Sequence, residues 1–309
     1  MAQEKVVELE ENPVLRKESK TMMPVLKSFL APDTLDLPFF DDFTRETIYP
    51  SPEKWEDQDV FVNSSYGINP PSVGVATFDV LDSAGLIYEH ANTESFIADY
   101  LTSRPIDLTS AGSAVYLSFY YQPKGHGDYP QAKDSLILEF IAPTDTAWNR
   151  VWSMPGPGND TLQDFKQVLI HVDSLKYLDK GFRFRFLNMA SISTDVTKPG
   201  RRANSDHWSI DYILLDSDRS STDTVPHDVV VAAPLQSILN NHESMPWKHF
   251  NKNIYNEMGG SIPIRYTNLD SITRNVTRDF QIWDVYDDLE LHAYSAGALN
   301  ISPWQTIDY

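Results

Sequence analysis

Ser205-Asp206-His207-Trp208-Ser209-Ile210-Asp211-Tyr212-Ile213-Leu214-Leu215-Asp216 decides the fold, because Trp208, Ile210, Tyr212 and Leu214 alternate with His207, Ser209 and Asp211. A period of two is that of a strand with one buried face. The stretch answers an opening block, Leu37-Pro38-Phe39-Phe40-Asp41-Asp42-Phe43, so the two read as the closing and opening strands of one β-sandwich over residues 37–216. In that reading Trp208 and Tyr212 both belong to the core.

Composition agrees with an all-β chain. The 309 residues include 7 Trp, 15 Tyr and 15 Phe beside 20 Pro and only 13 Gly, which fits short strands joined by rigid loops. A chain of this length has room for two domains. With 44 acidic against 25 basic residues the net charge is −19, which excludes nucleic acid and anionic membrane surfaces as partners. Cysteine is absent, and with it disulfides, zinc–thiolate sites and cysteine nucleophiles. No apolar run reaches the roughly 18 to 20 residues that span a bilayer. The N-terminal residues are no secretory signal, so export requires a signal removed before Met1.

Outward from the deciding stretch, strands are expected at 75–80, 114–121, 135–141, 151–153, 166–172 and 182–188. In the last, Phe182, Phe184 and Phe186 face inward if Arg183 and Arg185 face out. Residues 1–36 read as a charged, proline-punctuated tail, either flexible or packed as an added edge strand, with a short amphipathic stretch at 6–15 and an apolar patch at 22–30. Residues 217–224 are polar and aperiodic, a linker. Beyond them, strands at 229–233, 261–268 and 277–285 with short helical or irregular pieces at 235–241 and 247–256 suggest a smaller immunoglobulin- or fibronectin-like β domain over 225–309, with Trp247 in its core. The apolar residues at 300–309 suggest a chain that continues.

Phe39-Phe40-Asp41-Asp42-Phe43, Trp55 with Glu56-Asp57, Val60-Phe61-Val62-Asn63 and the segment from Pro70 to Asp79 resemble a jelly-roll module of large exported proteins in the Bacteroidota. Leu117-Ser118-Phe119-Tyr120-Tyr121-Gln122-Pro123, Asp134-Ser135-Leu136, Trp152-Ser153 and Asp206-His207-Trp208 continue the resemblance across 37–216. In general shape it is also similar to MAM and laminin-G-like sandwiches, without the cysteines of a true MAM domain. The resemblance implies a periplasmic, outer-membrane or cell-surface location in a Gram-negative bacterium, alongside the type nine secretion and gliding apparatus, and no particular reaction. Asp followed by Ser or Thr and a small or aliphatic residue resembles the O-glycosylation sequon of that phylum. It occurs at Asp33, Asp82, Asp134, Asp145, Asp160, Asp173, Asp223 and Asp270, where random placement gives roughly two. Such dipeptides also favour turns and strand starts.

Candidate chemistry falls in three groups. Asp41, Asp42 and Asp211, with Asp79, could converge where first and last strands pair and supply oxygen ligands to calcium. The alternative is that Asp41 and Asp42 cap turns and Asp211 pairs with Arg183 or Arg185. The outward strand positions carry Tyr120, Glu139, His171, Arg183, Arg185 and Asp211, which could form a sugar-binding face or a solvated face with cross-strand ion pairs. The loop Pro123-Lys124-Gly125-His126-Gly127-Asp128-Tyr129-Pro130 offers His126 and Tyr129. No nucleophile elbow, His-Glu-x-x-His, Walker loop or dinucleotide fingerprint is present, and the chain reads as a non-enzyme. The expected role is a non-catalytic envelope or cell-surface protein acting through protein–protein interaction, as a component or client of the type nine secretion machinery. The second reading is a carbohydrate-binding module of a surface glycan-handling protein.

Overall fold

The computed structural model describes residues 10–21, 34–44, 47–193, 204–284 and 286–309. The apolar patch at 22–30 and the tripeptide at Asp33 lie outside them. The chain forms two compact units, Met1–Thr224 and Val225–Tyr309. It is nearly all β, with 39% of residues in strands and 7% in helices, consistent with the expected β-sandwich jelly roll.

In the first unit a helix, α1 (Pro13–Thr21), precedes eleven strands: β1 (Phe39–Asp41), β2 (Phe61–Asn63), β3 (Val75–Phe78), β4 (Phe96–Thr102), β5 (Ile106–Asp107), β6 (Tyr116–Pro123), β7 (Ser135–Ile141), β8 (Asn149–Pro155), β9 (Lys166–His171), β10 (Lys180–Ala190) and β11 (Trp208–Asp216). Six of them form one antiparallel sheet in the order β2-β3-β11-β6-β9, with β1 also on β11. The other five form a second sheet, β4-β10-β7-β8, with β5 on β10. Leu101, Leu138, Phe182, Phe184 and Phe186 from the five-stranded sheet meet Phe78, Leu117, Phe119, Trp208 and Ile210 from the other in one core. Phe119 and Phe186 meet edge to face with ring centroids 4.8 Å apart, a preferred aromatic geometry.

The first and last strands do pair, with Phe39 opposite Leu215 and Asp41 opposite Ile213. The period-two reading of β11 holds only for its first half. Asp211 lies opposite Tyr120, but Leu214 lies opposite Ser118, so β11 carries one extra residue there. A bulge of this kind reverses the facing of every residue after it. Ile213 and Leu215 therefore join the core, while Tyr212, at φ 51°, turns out to pack edge to face on Phe40 and Tyr120. Tyr212 is buried as expected, but among Phe40 and Tyr120 and not between the two sheets. The same bulge divides one edge of β11 between two partners: β3 pairs with Trp208–Ile210 and β1 with residues 213–215.

The N-terminal segment packs in two ways where it is described: as a helix over 13–21, and at Leu35 as a parallel bridge to Ile106 on β5, its N–H donating to the Pro105 carbonyl and its carbonyl accepting from Asp107. Asn12 caps α1 by accepting from the backbone N–H of Val14 and Leu15, and Leu15 is buried with Tyr49 and Phe61. Residues 217–224 are tied down through Arg219, whose Nη1 donates to the carbonyls of Tyr116 and Leu214 and to Ser118 Oγ.

The second unit holds a three-stranded sheet of β12 (Val229–Val231), β13 (Arg265–Asn268) and β16 (Thr306–Asp308). A two-stranded ribbon of β14 (Arg274–Asp284) and β15 (Leu289–Ile301) and two single-turn helices, α2 (Trp247–Phe250) and α3 (Ile254–Glu257), complete it. Asn268 Nδ2 donates to the carbonyls of Ile272, Ile301 and Ser302, which ties the ribbon's root to the sheet. Trp247, expected in the core, is 68% exposed at the start of α2. Among the described residues no helix is long and apolar enough to cross a membrane.

Phe184 has no solvent exposure and contacts Phe39, Trp55 and Phe186. Phe184→Ala is expected to cost about 3–5 kcal/mol of stability, read as a lower denaturant midpoint of the first unit.

Candidate functional site

The alternation of Phe and Arg along β10 sends the phenylalanines into the sandwich and leaves Arg183 and Arg185 on the outer face of the five-stranded sheet. Register then builds a row across four strands. Arg185 lies opposite Thr102 on β4 and Glu139 on β7, and Glu139 lies opposite Arg150 on β8. The Arg185 guanidinium donates to Glu139 Oε2 through Nε at 2.9 Å and Nη2 at 2.7 Å. It also lies over two aromatic rings, Trp148 at 4.2 Å and Tyr100 at 5.0 Å from the centroids. Arg183 lies over Trp148 at 5.5 Å and pairs with Glu56 at 3.1 Å. Trp148, Tyr100, Glu139, Arg183 and Arg185 are all half-buried, Arg150 is exposed, and Ile137 and Leu187, only 2% exposed, are the apolar floor of the next row. Cation–π contacts of this kind contribute about 0.5–2 kcal/mol each and hold the planar groups in stacked order.

Glu139, Arg183 and Arg185 are therefore together, but Tyr120 is not with them. Tyr120 sits on β6 of the six-stranded sheet, as does His171 on β9, and the outer faces of two packed sheets point away from each other. One face cannot hold all of these residues. Tyr120 packs instead with Tyr212, and burial followed by the nearby Asp211 carboxyl pushes its hydroxyl up to about 12. His171 stacks on Tyr116. In the 123–130 loop the exposed His126 donates its backbone N–H to the Tyr66 carbonyl, and Tyr129 is half-buried. Gly127 is required for close approach: a Cβ there would come within 2.4 Å of the His207 ring. Trp148 and Glu56 were missed because they lie outside strands, before β8 and in the loop after β1, and Tyr100 and Arg150 because they sit on β4 and β8, the two edges of the sheet. Only the pairing register shows that they share the face.

The four aspartates expected to share calcium are placed apart in function. Asp41 accepts from Trp55 Nε1 at 2.7 Å and pairs with Lys54, and Asp42 accepts from Thr44. Asp79 sits beside Asp99, which accepts from the backbone N–H of Asp79 and Val80. Burial, in Asp99's case reinforced by Asp79, holds Asp99 well above the usual carboxylate range and Asp79 at about 7. Asp211, fully buried, accepts from Ser72 through its backbone N–H at 2.8 Å and its hydroxyl at 2.9 Å, and from the Tyr212 N–H at 2.5 Å. It does not reach Arg183 or Arg185, which lie on the other sheet. Among the described residues no group of three or more His, Asp or Glu side chains is arranged to hold a metal ion.

No protein-family model matches this sequence, and no curated protein sequence does. Among solved structures the chain is similar to the CBM22-2 xylan-binding domain from Paenibacillus barcinonensis Xyn10C, at 14% identity and a TM-score of 0.30 over 58% of this chain and 98% of that one. It is also similar to CBM27-1 from Caldicellulosiruptor saccharolyticus in complex with mannohexaose, at 11% identity and a TM-score of 0.31 over 59% of this chain and 91% of that one. A third is a Family 16 Carbohydrate Binding Module, at 9% identity and a TM-score of 0.26 over 52% and 89%. The expected secretion-related role through protein–protein interaction is corrected in favour of the second reading, since the similar structures are carbohydrate-binding modules. At such scores the fold and the site rest on this chain's own strands and side chains.

Burial pushes Asp211 up to about 8, against about 3.9 for a carboxyl in an unfolded chain. Between those values the folded form holds a proton that the unfolded form has lost, so raising the pH destabilises the fold. The melting temperature of the first unit is expected to fall from pH 5 to pH 8, and Asp211→Asn to flatten that fall. A pH-independent melting temperature in the unaltered protein would count against the buried acid.

Proposed function

We propose that the chain binds carbohydrate polymer, without catalysis, on the outer face of its five-stranded sheet. One observation carries the reading: Arg185 lies over the rings of both Trp148 and Tyr100 while fixed to Glu139 from the neighbouring strand. Pyranose rings present flat C–H faces flanked by hydroxyls. Aromatic rings with one face on a guanidinium offer flat apolar surface for the former, and Arg183, Glu139 and Glu56 offer planar donors and acceptors for the latter. A half-buried platform on a packed sheet needs little rearrangement to bind.

The reading extends to an exported protein at the surface of a Gram-negative bacterium, of the kind the jelly-roll resemblance implies. Support comes from the eight Asp-Ser and Asp-Thr tripeptides, and cell fractionation tests it.

Affinity electrophoresis of the intact chain in gels cast with soluble polysaccharides is expected to show retardation by at least one of them. Trp148→Ala should weaken that binding by about tenfold or more, equivalent to about 1.4 kcal/mol, and Tyr100→Ala should weaken it less. Tyr120→Ala, on the opposite sheet, should leave it unchanged. Loss of binding in Tyr120→Ala with retention in Trp148→Ala would move the site to the other face.

A further inference from the structure

The geometry points to polysaccharides carrying carboxylates, the polyuronates, as the class of polymer this face selects, an inference that rests on the carbohydrate-binding reading above. The strands of the face contribute three outward guanidinium groups, Arg150, Arg183 and Arg185, against two outward carboxylates, Glu139 in the row itself and Asp107 on β5, where it lies opposite Lys180. This occurs in a chain whose net charge is −19.

The three arginines differ in how far they are already committed. Arg185 is taken up by Glu139 and two aromatic rings, so its role is to hold the platform. Arg183 pairs with Glu56, whose side chain is 38% exposed, and an exposed pair of this kind is worth about 0–1 kcal/mol. A ligand carboxylate can replace Glu56 at little cost. Arg150 is exposed and makes no ion pair with any described residue, because the carboxylate opposite it, Glu139, is turned to Arg185. Two guanidiniums are thus available on either side of a fixed centre. Arg150 on β8 and Arg183 on β10 are separated by two interstrand steps, about 10 Å across the sheet. That separation exceeds one sugar ring and suits charges repeated along a polymer.

Guanidinium matches carboxylate as a planar, two-pronged donor, which neutral sugars cannot exploit. The acidic remainder of the protein opposes polyanions at long range. With a screening length of about 8 Å at physiological salt, contacts within the face decide whether a strand of uronate stays.

The test compares binding of the intact protein to polygalacturonate and to the same polymer after its carboxyl groups are reduced to neutral alcohols, measured by titration calorimetry. The expected result is binding to the polyuronate that is at least tenfold tighter than to its reduced form and that weakens with added salt. Arg150→Gln, with an unchanged melting temperature, should reduce that preference while leaving binding to the reduced polymer as it was, and Arg183→Gln should weaken binding to the polyuronate more than binding to the reduced polymer. Equal binding to both polymers, or equal binding to a sulfated neutral glucan, overturns the uronate inference and leaves the carbohydrate reading standing. A chain that binds neither of these nor any neutral polysaccharide overturns the carbohydrate reading itself.

Discussion

The first unit depends on the contact between Asp211 and Ser72. β11 is the strand on which the opening and closing of the sandwich meet, and its edge has to serve both β3 and β1. Where one partner ends and the other begins, the ladder leaves backbone donors without a strand opposite. The Asp211 carboxyl takes the Ser72 N–H, the Ser72 hydroxyl and the Tyr212 N–H at that junction, and the Ser72 hydroxyl also reaches the Asp42 carbonyl. An unsatisfied buried donor costs about 1–3 kcal/mol, so one side chain secures several such groups. Its own burial is the cost, visible in a carboxyl held at about 8. The extra residue accommodated there turns Tyr212 away from the space between the sheets, onto Phe40 and Tyr120, and sends Ile213 and Leu215 into that space.

Packing of the two sheets then separates the chemistry. The Phe-Arg alternation of β10 places every aromatic of that strand inside and every cation outside, on a face that no residue of the six-stranded sheet can reach. Tyr120 and Asp211 belong to the other face. What completes the arginine face comes from segments far apart in sequence: Tyr100 from β4, Trp148 from the turn before β8, and Glu56 from the loop after β1. The ladder fixes Tyr100, Glu139 and Arg150 around Arg185, and contacts to Arg183 and Arg185 hold Trp148 and Glu56.

This division also explains how much could be read in advance. β10 was legible because phenylalanine and arginine alternate in it with strong contrast, β7 and β9 as short apolar runs bounded by polar residues, and the pairing of β1 with β11 followed from their places at the two ends of the unit. β4 was not, since Asp99 in its middle is fully buried to serve the backbone of residues 79 and 80, which reads locally as a break. β15, rich in Ala, Ser and Gly and exposed along most of its length, has no hydrophobic period to find. Alternation tells which residues face outward but not from which sheet. That is why Glu139, Arg183 and Arg185 were grouped correctly with one another and wrongly with Tyr120. Register, a property of pairs of strands, is the missing quantity, and only it brings Arg150 into the row.

An arginine-lined face on so acidic a chain has to be held against its own surroundings. Free lysines or arginines would be drawn to the many nearby carboxylates and lost as a binding surface. Here Arg185 is locked by the Glu139 bond and by two rings, and it fixes in turn where Trp148 lies and hence where Arg183 rests against the same ring. The order is carried by rigid, planar groups that lose little freedom on stacking. Glu139, by satisfying Arg185, is also what leaves Arg150 without a partner on the adjacent strand. The same carboxylate therefore neutralises the centre of the face and keeps its rim cationic, so that selectivity arises at the edges of the platform while its middle supplies the apolar contact.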